Sequence, residues 1–357
     1  MTLINISEPC GDLEQKMLQK VSRSFALTIP QLPATLQRQV ANAYLLCRIV
    51  DTIKDDPGLS LAQKHMVMDQ FLAVVSDQAS PARFADEMRQ FLSQQTAQGE
   101  KELILHTPQV VERLYSFTPH QQDVIRRCLK IMGKGMLEFQ ATASVRGLEN
   151  ISRMDAYCYY VAGVVGEMLT ELFCSYSQKV AAHRETLLHL APSFGQGLQM
   201  TNILKDFWED RARGACWLPR DVFHAAGCDL NAVGAGYDRA AFGRGVTALI
   251  GLTRQHLENA LAFTLLIPAN ETGIRKFCLW AIGMAVFTLR KLDNNKQYTR
   301  SSDVKISRNT TRAIIFTTNT TLKNDYLLRS LFNMAIRGLP EPAFTINTDP
   351  MEKEKMI

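Results

Sequence analysis

Two short stretches concentrate carboxylates at helical spacing. In LCRIVDTIKDD, residues 46–56, Arg48, Asp51 and Asp55 recur at intervals of three and four, so on a helix they share one face with Tyr44. In LQMTNILKDFWEDRARG, residues 198–214, Gln199, Asn202, Asp206, Asp210 and Arg213 repeat that rule. Carboxylates gathered this way repel unless a cation lies between them. An oxygen-only donor set without histidine suits Mg²⁺ rather than zinc, and Mg²⁺ on one or two carboxylates commonly completes its shell with water and substrate phosphates. The interleaved Arg48, Lys205 and Arg213 have the chemistry to bind the remaining phosphate oxygens. A solvated helix face would explain either stripe alone. Two copies, each in an apolar-patterned helix with an arginine, favour metal-assisted chemistry on a phosphorylated substrate. Asp56 falls on a different azimuth and reads as a supporting or helix-end acid.

A third segment, AYCYYVAGVVGEMLTELF at 156–173, carries two glycines inside a helical pattern. Each costs about 1 kcal/mol relative to alanine, so something must approach that backbone closely. Gly163 shares a face with Tyr160, which leaves room either for a ligand beside the phenol or for a packed neighbouring helix.

The elements that position these residues are helices. Apolar residues recur every three or four positions through most of the chain, for example Leu36, Val40, Ala43, Cys47 and Val50, with Pro33 before them and Pro57-Gly58 after. Alternating strand patterns are nearly absent, so the expected fold is all-α. RAIIFTTNTT, 312–321, is β-branched enough to suit a strand but has no evident pairing partner, and its local state stays open. No break is a clear linker, so one domain over 1–338 is expected, with 339–357 as a frayed tail.

Composition narrows the class. Hydrophobic residues make up 46% of 357, enough for a sizeable core. The net charge of +5 contains no long run of like charges, which argues against nucleic acid as a partner. The eight cysteines never form C-x-x-C and sit mostly in apolar segments, as reduced buried thiols of a cytoplasmic protein do, and structural zinc is not expected. The N-terminus lacks a secretory pattern. FCLWAIGMAVFTL, 277–289, is shorter than the roughly 20 residues of a membrane span and reads as a buried helix, so no transmembrane anchor is expected.

With these blocks in order, the chain resembles the head-to-head prenyl synthases, the family of squalene, dehydrosqualene and phytoene synthases. VSRSFALTIPQLP (21–33), LCRIVDTIKDD (46–56), YCYYVAGVVGEML (157–169) and LQMTNILKDFWED (198–210) carry the likeness. The resemblance implies a class I isoprenoid-synthase helical bundle around a central apolar cavity. It further implies Mg²⁺, two or three ions, on Asp51, Asp55, Asp206 and Asp210. Ser24, Arg48, Gln199 and Asn202 would orient diphosphates, Phe25 would line the hydrocarbon channel, and Tyr160, with Tyr157 nearby, would handle protons and shelter cations. Family members commonly have an acid where this chain has Lys54, a departure expected to leave the metal site intact because it lies off the Asp51–Asp55 stripe.

The expected reaction joins two molecules of farnesyl diphosphate into a cyclopropylcarbinyl diphosphate. Squalene-forming members then use NADPH, whereas the carotenoid branch loses a proton instead. The stretch 277–311 resembles the NADPH-using pattern, with Asn294, Lys305 and Arg308, and Arg312 as a further candidate, as cofactor contacts; no Rossmann fingerprint is present. VVGEMLTELF, 164–173, resembles the carotenoid branch instead. The leading expectation is the NADPH-using reaction. The alternatives are a cofactor-free synthase, one that stops at presqualene diphosphate, and, from another class, a non-catalytic prenyl-lipid scaffold. A product this apolar implies peripheral contact with the inner membrane, and a monomer is expected.

Overall fold

A computed structural model describes residues 11–234 and 236–343. The expected all-α class holds: among the described residues there is no strand, only an isolated parallel bridge between Leu148 and Pro219. The principal helices are α1 (Asp12–Val21), α2 (Ala34–Asp55), α3 (Leu61–Val75), α4 (Pro119–Ala141), α5 (Ile151–Cys158), α6 (Val164–Tyr176), α7 (Arg184–Ala212), α8 (Arg239–Leu266), α9 (Thr272–Asn294), α10 (Arg308–Thr321) and α11 (Asp325–Ile336).

The chain divides into two compact units, residues 1–141 with 168–182 and residues 142–167 with 183–357. In the first, α2 packs against α1 and α4, burying Leu36, Val40, Ala43, Leu46, Ile49, Val50 and Ile53 along the face its periodicity marks out. Asp56 ends α2: its carboxylate accepts from the Gly58 and Ser93 amides (2.7 and 3.0 Å) and from the Thr96 hydroxyl (2.5 Å). Ser60 and Gln63 then form a reciprocal capping box that starts α3.

The second unit is built on α7, which packs most extensively against α8, while α9 lies on α8 and carries α10 and α11. The segment read as a buried apolar helix is α9. By length and composition it could cross a membrane, yet 61% of its apolar window is buried inside the protein. The undecided stretch 312–321 is helical. Its helix opens at Arg308 after a Ser307 cap that accepts from the Thr310 amide (3.0 Å), and the Thr311 and Thr321 hydroxyls bond carbonyls four residues back. Ile314 and Thr318 are buried one turn apart, so tertiary burial overrides β-propensity.

Arg275, only 1% exposed, ties helix ends together in this unit. Its guanidinium donates to the Ile267 carbonyl (2.8 Å), the Leu322 carbonyl (3.1 Å) and the Asp325 carboxylate (2.6 Å). The first residues of the stretch expected to fray are packed on the protein. Leu339 is buried, its carbonyl accepts from Arg254 (3.0 Å), and Glu341 lies against Gly251 of α8; residues 344–357 lie outside the described residues. The seven described cysteines are buried, and Cys10 lies outside the description.

Candidate active site

In the first unit the expected stripe exists on α2. Arg48 reaches Asp51 at 3.6 Å and is ion-paired with Glu100, a partner on another helix that no local spacing could reveal. Lys54, at its position off the stripe, brings its ammonium within 3.0 Å of Asp55. A long side chain spans adjacent positions that the helical wheel separates. Burial, opposed by Lys54 and Arg48, pushes the Asp51 carboxyl up to about 6. A carboxylate held at that cost gains from a nearby cation. Phe25 lies beside Tyr44, with ring centroids 5.0 Å apart, and Ser24 is exposed just before the short helix Phe25–Thr28.

In the second unit α7 carries Gln199, Asn202, Asp206 and Asp210 as the spacing requires. Lys205 pairs with Asp206 (2.5 Å), and Arg213, just past the helix end, pairs with Asp210 (2.6 Å). Both cations expected to meet phosphate thus neutralise the aspartates in the ligand-free chain. Among the described residues no group of three or more Asp, Glu, His or Cys gathers at metal-binding distance. Each stripe offers a pair of carboxylates, which fits Mg²⁺ completed by phosphate and water better than an all-protein cage.

The tyrosines stand where α5 gives way to a π-helical turn, Tyr159–Gly163, before α6. Such turns are rare and concentrate at functional sites. Tyr157 stacks on Trp217 (4.2 Å, 8°), Tyr160 is buried edge-on to Tyr159, and Tyr159 donates to Glu167 (3.1 Å). Both glycines of this segment are crowded by protein. A Cβ on Gly163 would lie 2.9 Å from the Tyr159 ring, and one on Gly166 would lie 2.2 Å from the Ala191 carbonyl of α7. At Gly166 the packed-helix alternative therefore holds. Gly195 of α7 makes the reciprocal approach, its ideal Cβ 2.0 Å from the Ala162 carbonyl in the π-turn.

The segment after α9 lies along the α7 acids. Trp208 donates to the Tyr298 carbonyl (2.7 Å), the Tyr298 hydroxyl bonds the Leu204 carbonyl, and the Ser301 amide donates to Glu209 (3.0 Å). Burial, then the carboxylates of Asp206 and Glu209, push the Tyr298 phenol well above its ordinary value. Asn294, Lys305 and Arg308 are exposed at the ends of this segment, and against burial, which raises it, the Glu209 carboxyl is lowered by its bonds from Ser301 and then by Lys305. Sequence reasoning missed Glu209 and Tyr298; the only signal was Glu209 beside Asp210 in DFWED.

The squalene/phytoene synthase family model matches residues 18–310, most of the chain. The chain belongs to the squalene/phytoene synthase family. Among relatives, the squalene synthase of Eremothecium gossypii is 28% identical over 307 residues, covering 85% of this chain and 67% of its own length. Squalene synthase BSS of Botryococcus braunii is 31% identical over 314 residues, with 85% and 64% covered. The chain thus spans about two thirds of these relatives' length, and less than half of several fungal squalene synthases. A structure of TcSQS with a ligand superposes with a TM-score of 0.71 at 24% identity, covering 92% of this chain and 97% of that one. A dehydrosqualene synthase structure gives 0.61 at 21%, with 87% and 95% covered. These likenesses establish the fold as the all-α isoprenoid-synthase fold of the family.

Proposed function

We propose that this chain is a squalene synthase: it condenses two molecules of farnesyl diphosphate to presqualene diphosphate and, with NADPH, converts that to squalene. The observation that carries the reading is the pair of aspartate stripes, Asp51–Asp55 on α2 and Asp206–Asp210 on α7, each with an arginine of its own stripe paired to an aspartate, in a chain of a prenyl-synthase family. The reading includes one isoprenoid-synthase domain over 1–338 with an apolar reaction cavity.

The four aspartates would hold Mg²⁺, which when bound supplies the positive charge that a departing diphosphate requires. Arg48, Lys205 and Arg213 exchange their carboxylate partners for phosphate oxygens as substrate arrives, while Ser24, Gln199 and Asn202 orient the diphosphates by hydrogen bonds. Phe25 lines the hydrocarbon path. Tyr160, held beside Tyr159 in the π-turn, presents an aromatic face to the allylic cation and a hydroxyl for the proton, with Tyr157 fixed behind it by Trp217. The reaction requires the site to exclude the water that would quench that cation. Lys305 and Arg308 suit the extra phosphate of NADPH, and Asn294 its polar groups; their exposure and positive charge support this assignment. Squalene cannot leave into water, so the reading places the enzyme in the cytoplasm as a monomer with peripheral membrane contact.

The test is anaerobic product analysis with farnesyl diphosphate and Mg²⁺, with and without NADPH. Squalene formed only with NADPH supports the reading. Dehydrosqualene or phytoene as sole product with NADPH present overturns it in favour of the cofactor-free branch that VVGEMLTELF resembles.

A further inference from the structure

In the second unit, α9, α10 and α11 border a cavity of about 710 Å³ lined by Ile282, Val286, Ile314, Leu328, Leu331 and Phe332. Phe287 and Met334 also line it, yet are 36% and 64% exposed, so the cavity opens to the outside between α9 and α11. On α10 Phe316 is 71% exposed, and on α11 Tyr326 is 78% exposed and Leu327 is exposed as well. Single exposed apolar residues are ordinary, but a group of them on one helix pair beside an open apolar cavity marks an interaction surface.

Charge says what the surface meets. Between residues 305 and 338 stand Lys305, Arg308, Arg312, Lys323, Arg329 and Arg337, against Asp325 as the one acid, and that carboxylate is tied by Arg275. All six cations are exposed. A second copy in two-fold contact would set this cationic surface against itself, which electrostatics opposes. Exposed aromatic and methionine side chains among lysines and arginines, above a cavity open to hydrocarbon, match instead the boundary between anionic headgroups and acyl chains.

We propose that the α10–α11 face is the docking surface for an anionic lipid bilayer, with Phe316, Tyr326 and Met334 entering the headgroup boundary and the α9–α10–α11 cavity taking a hydrocarbon chain from that leaflet. This rests on the membrane contact proposed above and assigns it to particular residues. The cations draw the protein to the surface, and the apolar groups hold it there.

The experiment is cosedimentation of the full chain with vesicles of mixed phosphatidylglycerol and phosphatidylcholine, and with phosphatidylcholine alone. Wild type binds the anionic vesicles, and added salt weakens it. The combined variant Phe316→Ser, Tyr326→Ser, Met334→Ser and the separate pair Lys323→Gln, Arg329→Gln each bind about tenfold or more weakly, the latter because two cations near an anionic surface together contribute attraction of about that scale. Circular dichroism and turnover in detergent micelles stay at wild-type values for both. If wild type binds and both variants bind equally well, another face docks; the present proposal falls while membrane contact stands. If wild type binds no vesicle, the membrane reading falls and this one with it. If wild type is instead a dimer that the triple variant dissociates, the face belongs to a second copy and the proposal is overturned.

Discussion

Gly195→Ala tests whether the tyrosine-bearing π-turn is held by direct backbone contact with α7. The added methyl would sit 2.0 Å from the Ala162 carbonyl oxygen and 2.4 Å from its carbon, whereas ordinary contact begins near 3.4 Å. Both partners are backbone, so no side chain can rotate away and the two segments must separate by about 1 Å or more. Alanine contributes about 1 kcal/mol of helix propensity. Overpacking of this kind costs about 1–3 kcal/mol and lies at the upper end where backbone must move, for a net loss of about 2 kcal/mol. Urea denaturation reads it as a lower midpoint at unchanged slope. Tyr160 precedes the contact by two residues and Gln199 follows Gly195 by four, so the displacement also spreads the proposed site. A misplacement of about 1 Å costs on the order of 100-fold in kcat for squalene formation. Gly243→Ala on α8 is the control, since its Cβ would meet nothing closer than Lys296 at 3.6 Å, and it should be neutral or slightly stabilising. A Gly195→Ala protein as stable as wild type with unchanged kcat would refute the reasoning.

Asp51→Asn should abolish Mg²⁺-dependent turnover while leaving the fold intact by circular dichroism; retained activity would remove Asp51 from the proposed metal set. The same group gives a pH signature. Its folded pKa is raised from 3.8 to about 6, so the metal-free protein holds that proton more tightly than the unfolded chain does. The group's stabilising contribution is full below about pH 4, declines through the window up to about 6 and is gone above it. Because its side chain is 26% exposed, a loss of about 1–2 kcal/mol is expected rather than the full linkage value, and Asp51→Asn should flatten that slope in denaturation measured across pH. Asp56→Ala, by contrast, should lower stability by about 2 kcal/mol, because two amides and a hydroxyl lose their acceptor, while kcat at low temperature changes little. A large kcat loss at full stability would make Asp56 a functional acid.

What was legible in the sequence was what depends on neighbours three and four residues away. The stripes on α2 and α7, the buried α9 and the all-α class all follow from that spacing. The close approach signalled by Gly166 was also visible, though not what approached. Contacts set by tertiary folding were not: Glu100 reaching Arg48, Ser301 donating to Glu209, and Leu339 seated on α8 join residues with no local relation. The Lys54 contact with Asp55 was not legible, because a wheel projects Cβ directions and ignores the reach of four methylenes. The segment 312–321 was ambiguous because β-branched residues lose little in a helix once their hydroxyls and methyls find partners.

Arg275 has a consequence for how the protein opens. Its guanidinium joins Ile267 just beyond the end of α8, Leu322 just beyond the end of α10 and Asp325 at the start of α11, and the arginine itself stands in the first turn of α9. Loss of any one of these ends leaves a buried cation short of acceptors, so they are expected to detach together rather than fray singly. The proposed lipid-facing helices then form one cooperative opening unit, whose amides should share a single free energy of hydrogen exchange.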